Sequence, residues 1–126
     1  QDALNENNLM LDEMASLLKN DAIVTTVSSR WDDDISNLRL SWTIYWLEVI
    51  LKLKMSGDYH AMKGQHGEKM MAYLAESCSE LQILALYRES LNQYRMFLGR
   101  SNPNKTLGFE YLLHQWIKLM PAKGVQ

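Results

Sequence analysis

The segment from Leu38 to Leu53 constrains the fold most strongly, because it is apolar around most of its circumference when wound as a helix. Polar side chains at Ser41, Glu48 and Lys52 form only a narrow seam. Two apolar stripes follow helical spacing, the first with Leu38, Trp42, Tyr45, Trp46, Val49, Ile50 and Leu53, and the second with Leu40, Ile44, Leu47 and Leu51. Such a helix either lies at the centre of a bundle or gives one face to another chain.

The composition fits one globular domain. The chain has 126 residues, and its 47% apolar and 22% charged residues leave little room for extended disorder. The formal net charge is −2, and lysine and arginine are spread along the chain instead of being clustered. A clustered basic surface is typical of DNA-binding and RNA-binding domains, so we expect no direct nucleic-acid binding. The prediction is a single helical domain over residues 1–126.

The cysteine content indicates a cellular compartment, and the start of the chain indicates a fragment of a longer protein. Cys78 is the only cysteine, which excludes an intramolecular disulfide and fits a reducing, cytoplasmic location. The 38–53 run is too short for a membrane span and is interrupted by Arg39, so no transmembrane segment is expected. The chain begins at Gln1 without an initiator methionine or a signal peptide, and this start predicts a fragment of a longer protein.

Hydrophobic periodicity predicts an all-α protein, a single compact bundle of about five or six helices. A first helix covers 11–18, and a second short element follows over 22–31, where β-branched residues suit a strand equally well but Ile23, Val27 and Trp31 share one helical face. Three consecutive aspartates at 32–34 then place negative charge at the start of the 38–53 helix, where its dipole favours them.

The second half of the chain begins with a long glycine-rich loop at 56–67, which is followed by a short helix over 70–78. Ser79 is the predicted cap of a long helix that runs to about residue 100. Its expected apolar sides are one with Leu81, Leu84, Leu91 and Leu98 and an adjacent one with Ile83, Tyr87, Tyr94 and Phe97. The chain then breaks at 101–104, where Pro103 suits a first helical position and either Asn102 or Asn104 could be a cap, and a last helix ends at Pro121.

Catalytic signatures are missing from the sequence. No phosphate-binding loop, dinucleotide fingerprint, nucleophile elbow or zincin motif occurs, so we expect no enzyme activity and no cofactor. The nearest candidate for chemistry is a loop set of Asp58, His60, His66 and Glu68, whose residue types could bind zinc. The simpler interpretation is a set of solvated side chains in a flexible connection. A small helical metal enzyme is therefore a minor alternative.

Two blocks of the sequence form a recognisable pattern. The first is RLSWTIYWLEVILKLK, which begins at Arg39, and the second is ELQILALYRESLNQYRMFLGRSNPNKTLGFEYLLHQW, which begins at Glu80. This order of a Leu- and Trp-rich helix ending in Leu-Lys, a long helix, an Asn-containing break and a leucine-rich closing helix resembles the C-terminal domains of the delta-prime subunit of the bacterial DNA polymerase III clamp loader. It extends over roughly 31–120.

The resemblance implies a helical collar domain that joins clamp-loader subunits into a ring and has no catalytic role. The implied partners are the gamma/tau and delta subunits, whose collar domains would cover apolar surface left open here. Aromatic residues and arginine are over-represented at interfaces, so the interface candidates on the long helix are Tyr87, Arg88, Tyr94 and Arg95. The two tyrosines could equally pack internally. The predicted core residues are Trp42, Trp46, Leu113 and Trp116.

One further class of function stays open. A free-standing helical adaptor could use an apolar groove to bind a peptide helix or a second copy of itself. Concentration-dependent self-association would distinguish such an adaptor from a collar domain that needs other subunits.

Overall fold

The computed structural model describes residues 2–99 and 104–121, which form six α-helices and contain no strand. The all-α prediction is therefore confirmed. The chain break was predicted at 101–104. Residues 100–103, including the predicted first helical position at Pro103, lie outside the described part, and Asn104 lies within it. The helices are α1 (Ala3–Leu18), α2 (Val24–Trp31), α3 (Ser36–Ser56), α4 (Glu68–Ser77), α5 (Glu80–Leu98) and α6 (Lys105–Ile117).

Side-chain caps and glycine set several helix ends. Ser79 forms a capping box with Gln82, in which each side chain accepts a hydrogen bond from the other residue's backbone N–H. Asn104 caps α6 by accepting from the backbone N–H of Leu107 at 3.1 Å. Gly57 ends α3 in the left-handed conformation, with φ of 74°, which glycine adopts without steric cost. The predicted cap at Ser79 is confirmed, and of the two asparagines that the sequence offered for α6 the cap is Asn104.

The ambiguous second element is a helix. Val27 and Trp31 are buried on one side of α2, as their spacing predicts. Ile23 does not share this side, because it precedes the helix in extended conformation and is 67% exposed. The β-branched residues of this segment are therefore accommodated in a helix whose inner side packs against α6.

The long helix α3 packs against α4 and α5. The second predicted stripe faces inward, with Leu40, Ile44 and Leu47 buried. The first stripe is split, because Trp46, Ile50 and Leu53 are buried whereas Leu38 and Tyr45 are 43% and 58% exposed. The helix α3 therefore lies in the bundle with one outward side, which includes Leu38 and Tyr45, exposed to solvent.

The long helix α5 also turns a different side inward from the leucine stripe that was expected to be apolar. Leu81 and Leu98 are 79% and 58% exposed. The buried residues are Ile83, Leu86, Ser90 and Phe97, which face α3 and α6. The inner side of α5 therefore includes Ile83 and Phe97 of the second predicted side and extends to Leu86 and Ser90.

Aromatic edges join the helices at the core. The ring of Phe109 on α6 lies edge to face with Trp31 of α2 at 5.4 Å and with Phe97 of α5 at 5.2 Å between centroids. Trp46 and Trp116 meet in the same manner at 6.2 Å. Such pairs contribute about 0.5–1.5 kcal/mol beyond the area that they bury. The core is continuous and contains buried side chains from all six helices.

The four predicted core residues are buried to different extents. Trp46, Leu113 and Trp116 are each only 1% exposed. Trp42 is half-buried and packs against the edge of the core, one turn before Trp46. The last helix thus places its apolar stripe against the rest of the bundle.

A charged network ties α1 and α2 to the start of α3. Arg30 forms a bidentate pair with Glu13, whose carboxylate also accepts from the indole N–H of Trp31 at 2.9 Å. Arg39 is almost fully buried and pairs with Asp33 through two hydrogen bonds of 2.7 and 3.1 Å. This pairing raises the pKa of Arg39 and lowers the pKa of Asp33. The network therefore holds the segment between α2 and α3 in place.

Candidate interaction site

The strongest candidate for an interaction site is the outward side of α5, which we call the outer α5 face. Its residues follow the spacing i, i+4, i+7, i+11, i+14 and i+15, and all of them are exposed. The opposite side of the same helix is packed on α3 and α6, so this face is the part of α5 that is free to meet another molecule. The outer α5 face consists of Leu81, Ala85, Arg88, Asn92, Arg95 and Met96.

Arg88 and Arg95 lie two turns apart on this face, as their sequence spacing predicts. The guanidinium of Arg95 donates to Oδ1 of Asn92 at 2.8 Å. Within residues 2–99 and 104–121, neither arginine has a carboxylate partner within ion-pair distance. The face therefore combines exposed apolar side chains with two positive charges that no acidic residue of this part of the chain neutralises.

Tyr87 and Tyr94, the other two predicted interface residues, lie on the inner side of α5. Both are half-buried and pack against the core. The hydroxyl of Tyr87 donates to Oε2 of Glu48 on α3 at 3.0 Å, and the carboxylate raises the pKa of this tyrosine. The structure thus separates the two arginines from the two tyrosines, of which Tyr87 joins α5 to α3.

Sequence reasoning missed the apolar members of this site. Leu81 was predicted to lie on an apolar side of the long helix but was not proposed for the interface, and Met96 was not singled out, although both share the helical side of Arg88 and Arg95. Leu107 and Tyr111 on the adjacent helix α6 add exposed apolar surface, and the Tyr111 hydroxyl donates to Oε1 of Glu89 on α5. The helical spacing of Leu81, Arg88 and Arg95 could have shown that these residues share one side of α5.

A groove lies on another part of the molecule, between α1, α4 and the end of the 57–67 loop. Its volume is about 600 Å³, within the range of small-molecule sites. We call it the α1–α4 groove. Its apolar lining consists of Leu11, Ala15, Leu18, Met70, Tyr73 and Met120, and its polar lining includes Asp12, Lys19, His66, Glu68 and Lys69.

The loop residues that suggested a metal site are engaged separately. Oδ1 of Asp58 accepts from the backbone N–H of His60, and Oε1 of Glu68 accepts from that of Gly64. The Nε2 atom of His66 lies 2.7 Å from Oδ1 of Asp12 on α1. In the described part of the chain, no three histidine, cysteine or acidic side chains are grouped so that they could hold a metal ion.

The single thiol is held inside the bundle. Cys78 is buried, and its Sγ donates to the backbone carbonyl of Leu119 at 3.4 Å. Burial raises the pKa of this thiol, so the thiolate that a nucleophile requires is disfavoured. Cys78 therefore acts as a small core residue that holds the end of α4 against the end of α6.

Comparisons with known proteins give no match: no protein-family model, no curated protein and no solved structure corresponds to this chain. A search of residues 2–99 and 104–121 also finds no helix with the length and apolar character needed to cross a membrane. The contacts and exposed surfaces of the chain itself therefore carry the functional argument.

Proposed function

We propose that the chain is a non-catalytic assembly domain that works as the collar of a bacterial clamp-loader delta-prime subunit. In this role it binds the collar domains of the gamma/tau and delta subunits in the cytoplasm and helps to build the complex that loads the sliding clamp during DNA replication. The observation that supports the proposal is the outer α5 face, where two arginines without acidic partners stand among exposed apolar side chains.

The chemistry of this face describes the partner surface. Leu81 and Met96 lie toward opposite ends of the face, so an apolar helix laid along α5 would cover both. Arg88 and Arg95 between them call for carboxylates on the partner, since an arginine pairs with a carboxylate through two parallel hydrogen bonds. A specific interface of this kind buries roughly 800 Å² on each partner.

The same charges disfavour a homodimer formed through this face. The outer α5 face has arginine at 88 and 95 and contains no acidic residue. Two copies of α5 placed against each other through these residues would therefore bring like charges together, which costs binding energy. A hetero-complex with an acidic partner satisfies both guanidinium groups, and for this reason we place it before the self-association alternative.

The proposal is tested by size-exclusion chromatography with light scattering. The chain is run alone and after mixing with purified gamma/tau and delta collar domains. We expect a monomer alone and a mixed complex with the partners. A homodimer that ignores both partners, or a monomer that joins neither, would contradict the proposal.

A further inference from the structure

The outer α5 face has two edges of different character. With about 100° between successive residues around a helix, Arg88 and Arg95 lie about 20° and 40° to one side of Leu81. Ala85 and Met96 lie about 40° and 60° to the other side. The positive charges therefore follow one edge of the face, and apolar side chains follow the opposite edge.

The apolar edge lies next to α6. Glu89 follows Ala85 by one turn, and its carboxylate accepts a hydrogen bond from the hydroxyl of Tyr111 on α6 at 3.1 Å. Tyr111 and Leu107 are one turn apart on α6 and are 42% and 58% exposed. A groove of about 190 Å³ between the two helices has Ala85 in its lining and is smaller than a typical small-molecule site. Exposed apolar surface thus continues from α5 onto α6.

We call the combined surface the α5–α6 seam. It consists of Ala85, Arg88, Arg95 and Met96 on α5 and Leu107 and Tyr111 on α6. No described residue offers either arginine a carboxylate within ion-pair distance, and the residues outside the described part include no aspartate or glutamate. Asn92 accepts from the guanidinium of Arg95 at 2.8 Å, which restricts this side chain before any partner binds. The seam therefore combines an apolar strip with two charges that another molecule can neutralise.

We propose that the α5–α6 seam binds an amphipathic helix of the partner, which carries two carboxylates seven residues apart beside its apolar stripe. The stripe covers Met96, Leu107 and Tyr111. Arg88 and Arg95 are two turns apart, about 10.5 Å along the axis, and the same spacing on a facing helix brings one carboxylate to each guanidinium. Carboxylates four residues apart span only about 6 Å, so they would pair with one arginine at a time. This inference rests on the assembly function proposed above and deepens it by naming the acid spacing and by adding α6 to the site.

Three synthetic amphipathic peptides of equal length and identical leucine stripe test the spacing. The first has two glutamates seven residues apart, the second has them four apart, and the third has glutamine at the positions of the first. Binding is followed by the methyl signal of Met96 in the methionine-labelled chain, with Met55 as the control because it is exposed at the end of α3. We expect a saturable shift at Met96 and none at Met55. The seven-residue peptide should bind roughly fivefold more tightly than the glutamine peptide, and the four-residue peptide roughly twofold.

Two variants of the chain separate the charges from the apolar strip. Arg88→Gln combined with Arg95→Gln should bind all three peptides equally, whereas the control Lys52→Gln on α3 should keep the preference for the seven-residue spacing. Leu107→Ser should weaken all three peptides by about three- to tenfold, because it removes apolar contact from α6. Its matched control is Leu4→Ser, since Leu4 is 63% exposed on α1. All of these positions are at the surface, so the variants should fold.

Equal affinity of the wild type for the three peptides would overturn the inference, and so would equal shifts at Met55 and Met96. A Leu107→Ser variant that binds as the wild type does would remove α6 from the site and overturn it as well. If the gamma/tau and delta collar domains bind but the seven-residue peptide has no advantage, the proposed function stands and this inference fails. Selective binding of that peptide without a clamp-loader complex would give the opposite result and leave the inference in place.

Discussion

Replacing Trp46 by alanine should destabilise the protein by about 3–5 kcal/mol, because the side chain fills the centre of the bundle and its loss leaves a cavity. Trp46 is 1% exposed, its ring lies 6.2 Å from that of Trp116, and its indole N–H donates to Oδ1 of Asn7 at 3.1 Å. Within that total, the ring pair contributes about 0.5–1.5 kcal/mol and the hydrogen bond a similar amount.

A graded pair of substitutions separates these contributions. Trp46→Phe retains much of the apolar volume but loses the indole donor, so it should cost about 1–2 kcal/mol and leave the Asn7 amide without its partner. The matched control is Tyr45→Ala, because this neighbouring aromatic is 58% exposed and should change stability by less than about 1 kcal/mol.

Urea unfolding followed by far-UV circular dichroism measures all three variants on one scale, since the signal reports the helices and not the mutated indole. The expected order of stability is Tyr45→Ala, then Trp46→Phe, then Trp46→Ala as the least stable. A loss of less than about 1 kcal/mol for Trp46→Ala, or an equal loss for Tyr45→Ala, would refute the placement of Trp46 in the core.

Gly108→Ala should lower stability by about 1–2 kcal/mol in the same urea assay, because an added Cβ would lie 2.9 Å from the Phe97 ring, inside the aromatic cluster. Ser79→Ala should cost about 0.5–2 kcal/mol by removing the cap of α5, which thermal unfolding can measure. Asp33→Asn should cost about 1–3 kcal/mol at neutral pH and flatten the acid side of the stability profile, because Arg39 holds the pKa of Asp33 below its usual value.

The direction of the pH dependence predicted for Asp33→Asn follows from proton binding by the folded and unfolded chain. The pKa of Asp33 is lowered from 3.8 in the folded state, so the unfolded chain binds the proton more readily. The stabilisation from the pair with Arg39 is therefore complete above the unfolded pKa and is lost as pH falls through the folded one. Urea titrations of the wild type and Asp33→Asn across acid pH should converge, and parallel curves would exclude this role. For Gly108 and Ser79, unchanged unfolding midpoints would contradict the packing and the cap.

Sequence patterns predicted the features of the fold that depend on neighbouring residues. Ser79 and Asn104 act locally, since a cap needs only the backbone of the next turn; Ser79 was found where expected, and Asn104 is one of the two asparagines that the sequence offered. The apolar stripe of α6 was predictable because one side of this helix is apolar and the other is polar. Such features can be predicted without knowledge of the tertiary structure.

The side that each of the two long helices turns toward the core was not predictable in the same way. Both α3 and α5 have apolar residues on more than one side, so hydrophobicity alone could not decide which side faces inward. The burial of Arg39 is a further example, because a charged residue is placed inside only when Asp33 is positioned to pair with it. Neither outcome can be derived before the neighbouring helices are placed.

The candidate site was partly predictable for the same reason. Arg88 and Arg95 were singled out from their seven-residue spacing, which depends on one helix alone. Whether Tyr87 packs internally could not be decided from the sequence, because its partner Glu48 is 39 residues away in the chain. The contact between His66 and Asp12 spans 54 residues, and no local pattern reveals it. Long-range contacts of this kind define both the outer α5 face and the α1–α4 groove.

The central claim is that a partner subunit binds the outer α5 face, and a binding titration of charge-reversal variants tests it most directly. The affinity of the gamma/tau and delta collar domains is measured for the wild type, for Arg88→Glu with Arg95→Glu, and for a control with Lys52→Glu and Lys63→Glu. All four positions are exposed, and the control residues lie outside α5. We expect the α5 variant to lose at least about tenfold in affinity and the control to match the wild type. Equal binding by both variants, or no binding by the wild type, would contradict the claim.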